Sequence, residues 1–112
     1  SANDLSKVAE NPDLKLLEGT SLSAWFLQFN TKNKPFDNKL VRQAVRYAID
    51  SQTIVDTILY GSGEVAGSII PPIAFGYQDV PKFEYNKEKA KELLAQAGYP
   101  NGFDAKLYVN AR

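Results

Sequence analysis

The side chains of this 112-residue chain that could do chemistry are carboxylates, hydroxyls and aromatic rings, because histidine and cysteine are both absent. Without them the common Ser-His and Cys-His nucleophile pairs cannot form, and the usual general base near neutral pH is missing. A working carboxylate pair needs two acids facing one substrate. Asp37, Asp50, Asp56, Glu64 and Asp79 instead fall at helix caps, turns or solvated positions, and Glu18 is the least explained acid. Gly61-Ser62-Gly63 lacks the lysine, the spacing and the preceding strand of a phosphate loop, so it reads as a helix stop followed by a turn. No spacing suggests a calcium loop, and soft-metal ligands are missing. The expectation is therefore a protein that is not an enzyme and carries no metal and no cofactor.

What remains is an aromatic and polar stretch. Ser21, Ser23, Trp25, Phe26 and Gln28 crowd into a few residues. Small hydroxyls beside exposed backbone at a strand start suit an extended ligand. Trp25 is either a core residue or a ligand platform, and residue type alone favours the core.

These residues need elements to hold them. Leu22 to Thr31 is the strongest strand signal, with Trp25, Leu27 and Phe29 on one side and Leu22, Ala24, Phe26, Gln28 and Asn30 on the other. Leu14–Leu17 is a shorter strand candidate. A last strand is expected where Phe103, Ala105, Leu107 and Val109 alternate with polar neighbours. Asp4 to Glu10 suits a short helix ended by Asn11-Pro12.

The central helix, near 38–49, is capped by Asp37 or Asn38. Leu40, Val41, Ala44, Val45, Ala48 and Ile49 form its apolar stripe, which leaves Arg42, Gln43 and Arg46 toward solvent. A second helix, near 51–60, restarts at Asp50-Ser51 and stops at Gly61. A third, near 87–97, is capped by Asn86, buries Ala90, Leu93, Leu94 and Ala97, and stops at Gly98. Its Lys-Glu-Lys-Ala-Lys-Glu run is a solvated face. Between the last two helices, Ile73 to Tyr85 is a long loop rich in aromatics and prolines, of the kind that is usually functional or packed. Together these predict an α+β fold: a small sheet from 14–17, 22–31 and 104–109 with three packed helices.

Thirteen basic and thirteen acidic residues cancel, which leaves no electrostatic case for nucleic acid or an anionic membrane. No apolar run is long enough to span a bilayer. Ser1-Ala2-Asn3-Asp4 has neither the basic start nor the apolar core of a signal peptide, as would also hold for a mature chain.

The motifs, taken together, are more specific than any one of them. Glu18-Gly19-Thr20-Ser21, Phe29-Asn30-Thr31, Lys34-Pro35-Phe36-Asp37, Val41-Arg42-Gln43-Ala44 and Tyr47-Ala48-Ile49-Asp50 follow one another in order. Tyr60-Gly61-Ser62-Gly63, Ile70-Pro71-Pro72, Gly76-Tyr77 and Tyr85 through Leu94 with Ala97-Gly98 continue the series. This run resembles the family 5 extracellular solute-binding proteins, the dipeptide-, oligopeptide- and nickel-binding receptors of ABC importers, with the dipeptide type nearest.

The resemblance implies a two-lobed fold of the type II periplasmic-binding-protein kind, in proteins several times longer than this chain. Residues 1–19 would then be the tail of the first lobe and 20–112 the start of the second, which makes the chain an internal fragment. It implies a periplasmic location, or a lipid-anchored one outside the cell. Ser21, Ser23 and Trp25 would line the cleft between the lobes. The implied partners are a short peptide in the intact protein and the subunits of an ABC permease. The isolated chain is expected to bind peptide poorly and to form a homodimer through 1–19 or an edge strand near 105–109. The competing reading is a free-standing α+β interaction domain, with no small-molecule ligand, that docks a protein through the Ile73–Tyr85 loop.

Overall fold

A computed structural model describes residues 4–110. Among them the chain forms four helices: α1 (Leu5–Glu10), α2 (Lys39–Ala48), α3 (Ser51–Thr57) and α4 (Lys87–Gln96). It divides into two compact units, one holding the residues up to Gln28 with Asp50–Glu84, the other Phe29–Ile49 with the residues from Tyr85 onward.

The second unit is built on the packing of α2 against α4. Val41 and Ala44 of α2 and Ala90 and Leu93 of α4 are buried. An alanine on each helix keeps side-chain bulk low at the contact, which lets two axes approach closely. Each helix starts on an asparagine cap. The Asn38 side chain accepts from the Leu40 N–H at 2.9 Å, and that of Asn86 from the Lys89 N–H at 2.9 Å. The Asn86 N–H in turn donates to the Tyr47 carbonyl at 2.8 Å, tying the start of α4 to the last turn of α2.

The stop of α4 is a paired-hydrogen-bond glycine cap. The Tyr99 N–H reaches the Leu94 carbonyl at 2.8 Å and the Gly98 N–H reaches that of Ala95 at 3.0 Å, with Gly98 at φ +91°. Beyond it, Phe103 lies edge-on to Tyr99 and to Phe36, with centroids 5.4 and 5.7 Å away, and Phe36 stacks at a tilt on Phe29 at 5.1 Å. The Lys-Glu run lies along α4 as exposed i,i+3 pairs, Lys89–Glu92 at 3.0 Å and Lys91–Glu88 at 3.4 Å. Such pairs add solubility and little stability.

In the other unit Asp50 caps α3 twice. One carboxylate oxygen accepts from the Thr53 N–H at 3.0 Å and the other from its hydroxyl at 2.7 Å. Val55 is the buried residue of this helix. The helix ends earlier than the expected 60. Tyr60 at φ +50° and Gly61 at φ +76° turn the chain back, and the Gly61 N–H closes on the Val55 carbonyl at 3.0 Å.

Three expectations need correction. The small sheet does not form: among the described residues no strand is present, and 14–17, 22–31 and 104–109 run irregular and largely exposed. The α+β class is therefore replaced, within this chain, by helices joined by irregular segments. A helix satisfies its own backbone, whereas a strand needs a neighbour at about 4.8 Å. Alternation marks which side chains would share a face and carries no information on that neighbour. Without a sheet there is also no edge strand near 105–109.

Second, the Leu22–Thr31 stretch is not covered on both sides, since Trp25 and Phe26 are 73% and 63% exposed. Third, Arg42 and Gln43 are half-buried, while Ala48 is exposed. The Arg42 Nη1 turns back to donate to the carbonyls of Phe36 at 2.7 Å and Asp37 at 3.0 Å. These carbonyls precede α2 and have no intrahelical partner, so a guanidinium with several donors is well suited to them.

Candidate functional site

The three residues singled out in the sequence lie on one short run of the first unit. Ser21 and Ser23 are both exposed. They are joined locally: the Ser23 N–H donates to the Ser21 Oγ at 2.9 Å. Serine readily closes such a turn on backbone two residues ahead. The chain bends at Leu22, so Ser21, Ser23 and Trp25 do not share a flat strand face. One hydroxyl, that of Ser21, already accepts a backbone proton, and its own O–H remains available to donate. Trp25 stands two residues further on with its indole open to solvent. The grouping offers two hydroxyls and a ring, suited to hydrogen-bonding and stacking.

A second feature of the same unit was not expressed in the sequence reading. Residues 64–68 and 77–82 converge around a recess of about 110 Å³, lined among others by Glu64, Gly67, Ser68, Tyr77, Asp79 and Lys82. Gly67 makes the convergence possible, because a Cβ there would collide with the Val80 carbonyl oxygen. The sequence signals were Gly67 itself and the Tyr77/Asp79 spacing, but neither says which distant backbone comes close.

The Tyr77 hydroxyl donates to Asp79 Oδ1 at 3.3 Å. Partial loss of water around the ring pushes its phenol above the ordinary value, and the negative charges of Asp79 and Glu64 push it further. The recess has room for a few waters at ~30 Å³ each. It is well below the ~300 Å³ at which ligand pockets begin, so it is too small to be a peptide site.

Among the described residues no group of three or more acidic side chains is arranged to hold a metal ion. No helix among them is long and apolar enough to cross a membrane.

Helices, turns and motif order converge on one assignment. Residues 1–111 match the family described as bacterial extracellular solute-binding proteins, family 5 Middle, and the chain belongs to that family. It is 42% identical over 107 residues to the heme-binding protein A of Haemophilus influenzae, a match covering 95% of this chain and 20% of that protein. It is 36% identical over 107 residues to the dipeptide-binding protein of Escherichia coli, with the same coverage of 95% and 20%.

Among solved structures it resembles the ABC transporter-associated periplasmic binding protein DppA from Helicobacter pylori in complex with peptide STSA. That match has a TM-score of 0.82 and 36% identity, and covers 90% of this chain and 20% of the other. The chain thus spans about a fifth of the length of the relatives it matches.

Proposed function

We propose that this chain acts as part of the substrate-binding receptor of an ABC importer, holding a short peptide and delivering it to the membrane permease, with no catalytic step. The observation that carries this reading is the likeness over 90% of the chain to a receptor structure with a peptide bound. In this reading the chain contributes to a two-lobed type II fold, with residues 1–19 in the first lobe and 20–112 in the second. Ser21, Ser23 and Trp25 line the cleft between the lobes. The receptor works outside the cytoplasmic membrane, in the periplasm or on a lipid anchor.

A second ligand class is raised by the 42% identity to a protein named for binding heme, a level that an oligopeptide-binding relative equals. Heme iron is held by His, Cys, Met or Tyr, and this chain has no His, Cys or Met. Any axial ligand supplied from within it would be a tyrosine, and the peptide-bound neighbour makes peptide the better supported ligand.

Calorimetry on the receptor that contains this chain, titrated in turn with dipeptides, tetrapeptides and heme, tests the reading. Peptide binding that weakens at least about tenfold, ~1.4 kcal/mol, in the double variant Ser21→Leu, Ser23→Leu supports both ligand class and site. Peptide binding unchanged by the variant removes the two serines from the site. Absence of peptide binding overturns the receptor reading in favour of an interaction domain or, with heme bound, a heme carrier.

On its own the 112-residue chain is expected to associate with itself. Trp25, Phe26, Leu107 and Val109 are all more than half exposed, the last two at 72% and 77%, and exposed apolar surface is a contact surface. Light scattering on the isolated chain reads this directly, and a monomer would contradict it.

A further inference from the structure

The turn after α4 sets up a reaction within the chain itself. Tyr99-Pro100-Asn101-Gly102 closes on a hydrogen bond from the Gly102 N–H to the Tyr99 carbonyl at 3.0 Å, with Gly102 at φ +79°. Asn101 and Gly102 are both exposed. A Cβ built at Gly102 would meet nothing within 4 Å, so the space on that side of the backbone is open to water.

We propose that Asn101 is a self-modification site, converting to an acidic residue through a cyclic imide with the Gly102 nitrogen, and that the hydrogen bond to Tyr99 is the gate. The Gly102 nitrogen loses its proton to base in the solvent and attacks Cγ of Asn101. A bond from that nitrogen to Cγ forms, the Cγ–Nδ2 bond breaks, and Nδ2 leaves as ammonia. Water then adds to one of the two ring carbonyls. Cleavage at one C–N bond gives aspartate. Cleavage at the other gives isoaspartate, in which the main chain runs through the former side chain. No oxidant and no other co-reactant are needed.

Three features single out Asn101. Glycine presents no side chain to crowd the attacking nitrogen. The other described asparagines precede larger residues: Asn30 precedes Thr31, Asn33 precedes Lys34, and Asn11 precedes Pro12, whose nitrogen carries no proton. Several are also held as caps or turn acceptors, Asn11 by the Asp13 N–H at 2.9 Å, Asn30 by that of Lys32 at 3.1 Å, and Asn38 and Asn86 at the starts of α2 and α4. The gate follows from geometry: the nitrogen that must attack is donating its proton to Tyr99, so the turn has to open first.

The consequence reaches the aromatic cluster. An isoaspartyl link adds one carbon to the main chain between Tyr99 and Phe103, whose rings lie 5.4 Å apart. It would also add a negative charge three residues before Asp104.

The test is peptide mapping of the full chain held at 37 °C at two pH values, with isoaspartate read by enzymatic methyl transfer. Asn101 is expected to convert at least about tenfold faster than Asn30 or Asn33, a barrier difference of ~1.4 kcal/mol. Conversion should speed up with pH and again in denaturant, where the turn is open. Asn101→Gln should abolish the isoaspartyl signal from this turn. Equal conversion at Asn33, an intact Asn101, or a signal that survives Asn101→Gln would overturn the proposal. A rate unchanged by denaturant would overturn the gate.

Discussion

Arg42 closes on the carbonyl of Phe36, six residues before it, with Nη1 donating at 2.7 Å. The same nitrogen reaches the Asp37 carbonyl at 3.0 Å, so one side chain ties the turn at 35–38 to the first turn of α2. Phe36 is also the middle ring of the aromatic cluster. The clasp therefore fixes where that ring enters the unit, as well as satisfying backbone.

Arg42→Ala is expected to lower stability by about 1.5–3 kcal/mol, the range for hydrogen bonds to a charged group. Arg42→Lys should recover only part, since an ammonium cannot reproduce the planar fork. Urea unfolding followed by circular dichroism checks it: the midpoint falls while the slope stays constant.

Asn86 has two separable roles. Its side chain caps α4 while its backbone N–H bonds to Tyr47. Asn86→Ala removes only the cap and should cost about 1 kcal/mol, whereas Asn86→Asp retains an acceptor and should cost much less. Thermal melts of the two variants would separate them, and equal losses would mean that the cap is not what matters.

Gly67 and Gly19 form a contrast that measures backbone approach. Gly67→Ala drives a methyl group into the Val80 carbonyl, while the same change at Gly19 meets nothing within 4 Å. The first is expected to destabilise by about 1–3 kcal/mol, as overpacking does. The second should be neutral or slightly stabilising, because alanine narrows the unfolded ensemble. Paired denaturation curves give the answer.

Tyr77 should be a late-titrating phenol. Water loss, then Asp79 and Glu64, hold its proton on above the usual pKa. A raised pKa in the folded state means that the folded chain binds this proton more tightly than the unfolded one. The associated stability is complete below the unfolded value near 10 and is lost as pH rises through the folded value. Ultraviolet titration of the native chain against Tyr77→Phe assigns the transition. Asp79→Asn should move it down only part of the way, because the larger cause, loss of water, remains.

The sequence by itself determined what is local. Asn38, Asp50 and Asn86 were readable as caps and Gly98 as a stop, because a cap bonds to backbone two or three residues away and a left-handed stop needs no Cβ. Motif order along the chain was enough to reach the family. Tertiary structure alone decided the rest, where the partner lies far off in sequence. Arg42 read as a solvent-facing residue because helical periodicity places side chains around an axis and does not see carbonyls outside the helix. Residues 22–31 and 104–109 read as strands because alternation is local, yet a strand exists only with a neighbour to pair with. The bend at Leu22 that links Ser21 to Ser23, and the recess where Gly67 meets Val80, likewise depend on where the chain folds back, which residue type alone does not specify.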